Sequence, residues 1–340
     1  MIYPTTLEHN KRMNEIEHSL NKGSVVLPYP PWRLRIEPTN ICNFKCVSCP
    51  NAVEKPQHNG FMEMALFKKI VDQANNYPRP TILTLYLGGE PLLHKELIEM
   101  INYASKYNMF VELNTNASLL TKEMINQMLD TDLNRIAFSF DDMLPDEYEA
   151  FRKNSSYNTT LNNILDFLKA KQERKQFYPI VAIASLRVFK SGDEISQPKI
   201  SDAFVSLFTE YNVVISSGYI HSWAGGFEIN EGQLSKSAIG ISDYDMVRKK
   251  KVPKCDQPWR DLVINYRGEV VTCCFDLHYK NILGDTKKND IIDIWNNKKF
   301  QALRRTILRK QYDKIPLCSS CAVIKGDPMT DLQLTISRKN

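Results

Sequence analysis

The chain has 340 residues, 43% apolar and 24% charged, with 44 Lys and Arg against 39 Asp and Glu for a net charge of +5. That composition excludes a disordered or fibrous chain, and the length allows two domains or one large α/β barrel with an appendage. No run reaches the roughly 18 apolar residues of a membrane span, and the mild charge forms no basic stripe, so neither a membrane nor a nucleic acid is expected as a partner. The N-terminus is polar and lacks an apolar leader, which leads to the expectation of a cytoplasmic protein. Residues 6–22 read as a helix with Thr5 or Thr6 as cap, Met13, Ile16 and Leu20 on one face, and Gly23 as terminator. A proline-rich linker, Leu27 to Pro31, completes an N-terminal segment of residues 1–31.

From Arg33 onward strands and helices alternate. Strand-like runs fall at 33–37, 81–87, 110–114, 135–140, 180–188 and 213–220, with helix-like runs at 64–76, 94–107, 121–130, 156–175 and 199–210 between them. Several of the strands are nearly continuous apolar runs, the pattern of buried parallel strands. Six such units over residues 32–240 predict an α/β fold, a partial (β/α)6 TIM-like barrel, with an open doubly wound sheet as the alternative. After about residue 240 the pattern changes. Lys249–Lys251 reads as a solvated junction, and 262–264 and 269–273 as short strands around an Arg267-Gly268 turn. Residues 290–308 read as one amphipathic helix with Ile291, Ile294, Trp295, Leu303 and Ile307 inward. Residues 241–340 thus make a small C-terminal domain with little regular structure, the kind a metal centre stabilises.

Eight cysteines form two groups: Cys42, Cys46 and Cys49, then Cys255, Cys273, Cys274, Cys318 and Cys321. In a cytosolic chain this grouping reads as metal binding rather than a disulfide framework. The first group directly follows the first strand, where α/β barrels place their chemistry. Three thiolates wrap one centre but fall short of the four ligands of structural zinc, and no His lies near in sequence. A [4Fe–4S] cluster held by three cysteines keeps one iron open for a substrate or cofactor. Zinc with a distant fourth ligand, and three apolar cysteines on a turn, are the alternatives.

The spacing Cys42-x3-Cys46-x2-Cys49 resembles the signature of the radical S-adenosylmethionine superfamily. The resemblance implies that the open iron chelates S-adenosylmethionine, and that reduction of the cluster cleaves it to a 5′-deoxyadenosyl radical that takes hydrogen from a substrate. It also implies a flavodoxin- or ferredoxin-type reductant. Phe44 lies inside the motif on the cofactor side, and Ser48 stands where the family often has an aromatic residue. Gly88, Gly89 and Glu90 look like the family's glycine-rich turn, which approaches the cofactor's amino group. Asn116, after the third strand, and Ser139 and Asp141, after the fourth, fall where the family makes further cofactor contacts. As plain sequence each is also an ordinary turn or capping residue. Arg187 closes the fifth strand; it contacts the cofactor carboxylate or a substrate hydroxyl, or forms a structural ion pair.

Cys255-x17-Cys273 and Cys318-x2-Cys321 resemble the auxiliary domain called SPASM in its shortened "twitch" form, and Pro258-Trp259 and 293–296 fit it too. The implication is a second [4Fe–4S] cluster saturated by Cys255, Cys273, Cys318 and Cys321, suited to electron transfer. A zinc ribbon is the alternative. Cys274 points away from its neighbour and is either a core thiol or a hydrogen-atom donor. Only about 31 residues precede the first strand, too few for the N-terminal recognition domain of many peptide-modifying relatives. The whole looks most like the aminocyclitol dehydrogenases of antibiotic biosynthesis, which implies a small sugar- or cyclitol-like substrate oxidised from alcohol to ketone, the second cluster accepting the electron. Tyr219, His221, Trp223 and Gly225-Gly226 follow the last barrel strand, with His221 as a candidate base. The alternatives are a redox-neutral carbohydrate epimerase with Cys274 as donor, a peptide-modifying maturase, and a non-catalytic iron–sulfur or zinc scaffold. The chain has no Walker loop, no His-Glu-x-x-His and no Gly-x-Gly-x-x-Gly.

Overall fold

The computed structural model describes residues 6–54, 58–77, 81–107, 109–187, 200–219, 255–321, 324 and 332–336. Helix α1 (Thr6–Lys22) buries Ile16 and leads through the linker to β1 (Arg33–Ile36). The cysteine loop holds two short pieces, β2 (Lys45–Cys46) and α2 (Pro50–Val53). Helix α3 (Met64–Asn75) buries Leu66, Phe67, Ile70, Val71 and Ala74, the stripe of an amphipathic helix. There follow β3 (Thr81–Leu85), α4 (Leu97–Ser105), β4 (Met109–Thr115), α5 (Lys122–Leu129) and β5 (Arg135–Ser139). Next come α6 (Pro145–Phe151), β6 (Arg152–Lys153), α7 (Tyr157–Glu173), β7 (Ile180–Arg187), α8 (Asp202–Ser206) and β8 (Val213–Tyr219). The C-terminal part holds α9 (Gln257–Arg260), β9 (Asp261–Ile264), β10 (Glu269–Val271), β11 (Ile282–Asp285), α10 (Ile291–Trp295), α11 (Lys298–Leu308), α12 (Pro316–Ser319) and β12 (Leu332–Ile336).

Strands β1, β3, β4, β5, β7 and β8 pair in parallel in that order, which is the six-unit array of a partial TIM-like barrel. Their register sorts the side chains onto two faces. Leu34, Ile36, Leu83, Leu85, Val111, Leu113, Ile136, Phe138 and Ile183 share one face, all buried. Phe138 meets Phe167 of α7 edge-on, with ring centroids 5.2 Å apart, so this face lies under the helices. The opposite, inner face carries Arg33, Arg35, Thr84, Glu112 and Asn114. Caps fix the helix starts: Thr121, Ser156 and Asn297 each accept from a backbone N–H in the first turn of α5, α7 and α11.

Four features depart from the sequence expectation. Strand β9 pairs in parallel with β1, so the C-terminal hairpin continues the barrel's own sheet and covers its edge. Strand β12 pairs antiparallel with β8 at the other edge, where no strand was expected. The expected helix at 290–308 is two helices. It breaks because the Asn296 amide bonds both the N–H and the C=O of Leu27, and Asn297 caps α11. The expected helix at 199–210 keeps only α8; beyond it, i→i−3 bonds from Leu207 and Phe208 tighten the chain as Phe208 packs on Phe204. At the hairpin turn Gly268 has φ +84°, and a Cβ there would stand 2.8 Å from Thr286 Oγ1. The junction Lys249–Lys251 lies outside the described residues. Among the described residues no helix is long and apolar enough to cross a membrane.

Candidate active site

The cysteine loop leaves the C-terminal end of β1 and is pinned by short polar side chains. Thr39 Oγ1 donates to Gly60 O (2.7 Å), and the Asn40 amide donates to His58 O (2.8 Å) and accepts from Gly60 N (3.0 Å). The small β2–β6 ladder then sets Cys46 opposite Arg152. Cys42, Cys46 and Cys49 are half-buried and close enough to feel one another's charge. Burial pushes the Cys42 thiol up to about 12, with Glu90 and the other two thiols adding, and it pushes Cys46 up to about 11 against the pull of Arg152. Thiols held this way are not free thiolates; a bound metal centre is what makes thiolate their stable form. Among the described residues no three His, Cys, Asp or Glu side chains are grouped to hold a single metal ion. The fit to a metal centre therefore rests on the donor set, three thiols on one loop at the mouth of the sheet.

The turn after β3 is bound into this loop. Gly89 lies against its backbone: a Cβ there would stand 2.2 Å from Thr39 O and 2.6 Å from Ile41 O. Glu90 donates its N–H to Ile41 O (2.8 Å), and its buried carboxylate accepts from Leu92 N, Thr115 Oγ1 and Asn116 N at 3.0, 2.6 and 2.8 Å. Three of its roughly four acceptor positions are thus filled from within the chain. Burial carries its pKa up to about 7 despite those donors. The Asn116 amide donates to Asn43 Oδ1 (3.0 Å), one residue beyond Cys42, and Phe44 is buried beside it in the loop. Ala117, next to Asn116, takes φ +61°. So Gly88, Gly89, Glu90 and Asn116 form one bonded unit with the cysteine loop.

Ser139 donates to Asn114 Oδ1 (3.1 Å) on the inner face. Asp141 is fully buried; its two oxygens accept from Arg152 Nε and Nη2, and Oδ1 also from Leu186 N (2.8 Å). Arg152 in turn stands 4.0 Å from Cys46 Sγ, so Asp141 acts at the cysteine loop through a fixed cation. Arg152 was not anticipated, since a lone Arg after a helix carries no sequence signal. Glu37 was also missed. It is fully buried, accepts from Gly88 N (3.0 Å), Tyr266 N (3.2 Å) and Tyr279 Oη, and burial raises its pKa to about 7. No local signal marked it, since its three donors lie 51, 229 and 242 residues away in sequence. Arg187 ends β7 opposite Tyr219 of β8; its side chain lies outside the described residues, as do His221, Trp223, Gly225 and Gly226.

The second cysteine group comes from three places. Cys255 precedes α9, Cys273 follows β10, and Cys318 and Cys321 flank the end of α12. Burial raises Cys255, Cys273 and Cys318, and each is pushed further by its neighbours: Cys255 by Cys321 and Cys318, Cys273 by Cys274 first and then by Cys255 and Cys321, Cys318 by Cys321. Four thiols thus lie near one another, Cys318 and Cys321 buried and Cys255 and Cys273 half-buried, and their number is that of a saturated iron–sulfur site. Cys274 faces elsewhere, beside Arg35, Asp261 and Arg260. There Asp261 accepts from Arg35 Nε (3.0 Å) and Arg260 Nε (2.9 Å), and Arg35 reaches Tyr86 Oη (3.3 Å).

Residues 36–183 match the radical SAM superfamily. The chain carries a radical SAM domain. Residues 255–322 match SPASM, an iron–sulfur cluster-binding domain. This radical SAM enzyme therefore uses S-adenosylmethionine and a [4Fe–4S] cluster, with further iron–sulfur in the SPASM part. It is 21% identical over 290 residues to the S-adenosylmethionine-dependent 2-deoxy-scyllo-inosamine dehydrogenase of Niallia circulans, covering 85% of this chain and 91% of that protein. It is 22% identical over 316 residues to the tungsten-containing aldehyde ferredoxin oxidoreductase cofactor-modifying protein of Pyrococcus furiosus, covering 85% and 87%. Its fold is similar to that of Streptococcus suis SuiB bound to its precursor peptide, with a TM-score of 0.60 and 13% identity over 90% of this chain and 73% of SuiB.

Proposed function

We propose that this enzyme oxidises an alcohol carbon of a small sugar or cyclitol to a ketone. The observation that carries this reading is the second cysteine group: Cys255, Cys273, Cys318 and Cys321 lie near enough to feel one another's charge, and as a set of four they would saturate a cluster and leave it no open iron for substrate. The relation to the 2-deoxy-scyllo-inosamine dehydrogenase, over most of both chains, supports the substrate class. When bound, S-adenosylmethionine and the first cluster supply the 5′-deoxyadenosyl radical, and the second cluster supplies a one-electron acceptor. Cys42, Cys46 and Cys49 would hold the first cluster, with Arg152 neutralising negative charge beside Cys46. Gly88, Gly89, Glu90 and Asn116 would carry the amino-acid end of S-adenosylmethionine, and Phe44, Ser139 and Asp141 would shape the rest of its site. Arg187 and His221 would orient the substrate hydroxyl and take its proton. A flavodoxin- or ferredoxin-type protein would reduce the first cluster.

A redox-neutral epimerase is the second reading, favoured by the placement of Cys274 beside Arg35 and the inner face. The test is anaerobic turnover of an aminocyclitol and amino-sugar panel, including 2-deoxy-scyllo-inosamine, in deuterated buffer. Oxidation predicts one ketone per deoxyadenosine and no solvent deuterium in the product. An isomer carrying deuterium, lost in Cys274→Ala while deoxyadenosine persists, would replace dehydrogenation with epimerisation. Modification of a peptide alone would overturn the substrate class.

A further inference from the structure

Glu37 has no part in the chemistry above, yet it joins the two halves of the site. Its buried carboxylate takes three donors from three separate stretches of chain. Gly88 N belongs to the turn before Glu90, Tyr266 N to the β9–β10 hairpin, and Tyr279 Oη to the loop running from Cys273 to β11. Gly88 is clamped from its other side as well, since Asn51, two residues beyond Cys49, donates to its carbonyl (3.0 Å). A Cβ on Gly88 would stand 3.0 Å from Glu37 Oε1 and 2.8 Å from Asn51 Nδ2, so the turn has no slack. Tyr279 is aimed with equal rigidity. It has φ +55°, uncommon for a residue with a side chain. Asp276 holds that loop, accepting from Lys280 N (2.8 Å) and Asn281 N (3.2 Å) while its own N–H bonds Cys273 O (3.1 Å). A continuous hydrogen-bonded path therefore runs from Cys273 through Asp276, Tyr279 and Glu37 to Gly88.

We propose that Glu37 and Tyr279 form a strut through which the SPASM cysteine site positions the Gly88-Gly89 turn and thereby sets the affinity for S-adenosylmethionine. Both are positioning residues, and the inference rests on the reading of that turn as part of the S-adenosylmethionine site. Coupling of this kind is reciprocal, so filling the second site and binding S-adenosylmethionine each favour the other.

The test measures the S-adenosylmethionine dissociation constant by equilibrium dialysis on anaerobically reconstituted protein, with iron content and thermal midpoint alongside. Tyr279→Phe removes one hydroxyl and keeps the ring under Arg267 (5.5 Å). It is expected to weaken binding about tenfold, the worth of one hydrogen bond to a charged group, with iron content unchanged. Cys321→Ala is expected to weaken binding in the parent protein and to add little in the Tyr279→Phe background. Glu37→Gln, which keeps an acceptor for Gly88 N, is expected to fall between parent and Glu37→Ala. Glu90→Gln reports on the turn itself. If Glu90→Gln weakens binding and Tyr279→Phe does not, the strut is overturned and the turn's assignment stands. If neither weakens it, the assignment fails and the strut with it. Full additivity of Cys321→Ala and Tyr279→Phe would also overturn the strut.

Discussion

Glu90 and Glu37 are buried carboxylates whose folded pKa of about 7 lies above the ordinary value of 4.5, because burial outweighs their donors. The folded state therefore binds a proton more tightly than the unfolded chain. The stability this contributes is fully present below about pH 4.5 and is lost as pH rises through 7, up to about 3 kcal/mol for each group. Denaturant titrations are expected to show the protein less stable at pH 7.5 than at pH 5.5, with the slope reduced in Glu90→Gln. An unchanged slope would mean that the three donors hold Glu90 ionised throughout. At this scale the cysteines and the Gly88-Gly89-Glu90 turn were legible, because metal ligands and close backbone approaches demand particular residue types at fixed spacing. Glu37 and Arg152 were not. Each works through partners distant in sequence, Tyr279 and Cys46, and nothing local marks them.

The elements show the same limit. The six strand–helix units could be read because apolar runs bounded by turns report a buried parallel sheet. The break between α10 and α11 could not, since it depends on Asn296 bonding Leu27, some 269 residues away in sequence. Around that bond the N-terminal linker is stitched to the C-terminal elements. Trp259 donates to Ser24 O (2.9 Å) and Trp295 to Tyr29 O (2.9 Å). The buried Arg304 guanidinium bonds Val25 O (2.9 Å) and Pro258 O (2.8 Å) and lies over the Trp295 ring. Burial brings the Arg304 pKa down to about 9. Asn296→Ala is expected to cost about 2–3 kcal/mol, from three lost bonds, the third from Arg304 Nη1 (3.2 Å), and two unsatisfied linker groups, read as a lower denaturant midpoint. A change within about 0.5 kcal/mol would show that the linker docks without it.

For the whole molecule, the sheet carries the functional argument. Because β9 pairs with β1, the strand that leads into the cysteine loop is flanked on one side by β3, ending at the Gly88-Gly89 turn, and on the other by the hairpin that leads to Cys273. The two cysteine sites are thus built on neighbouring strands of one sheet. Sequence alone suggested an appended domain, because a parallel pairing across more than 200 residues leaves no local trace. The measurement that tests the account most directly is iron and sulfide content after anaerobic reconstitution, with deoxyadenosine formation, for the parent and for Cys318→Ala/Cys321→Ala. The account predicts about 8 iron and about 8 sulfide per parent chain, falling to about 4 of each in the variant, which still makes deoxyadenosine but no ketone. Zinc in place of the second set of iron, or ketone formation that survives the loss of those two thiols, would contradict it.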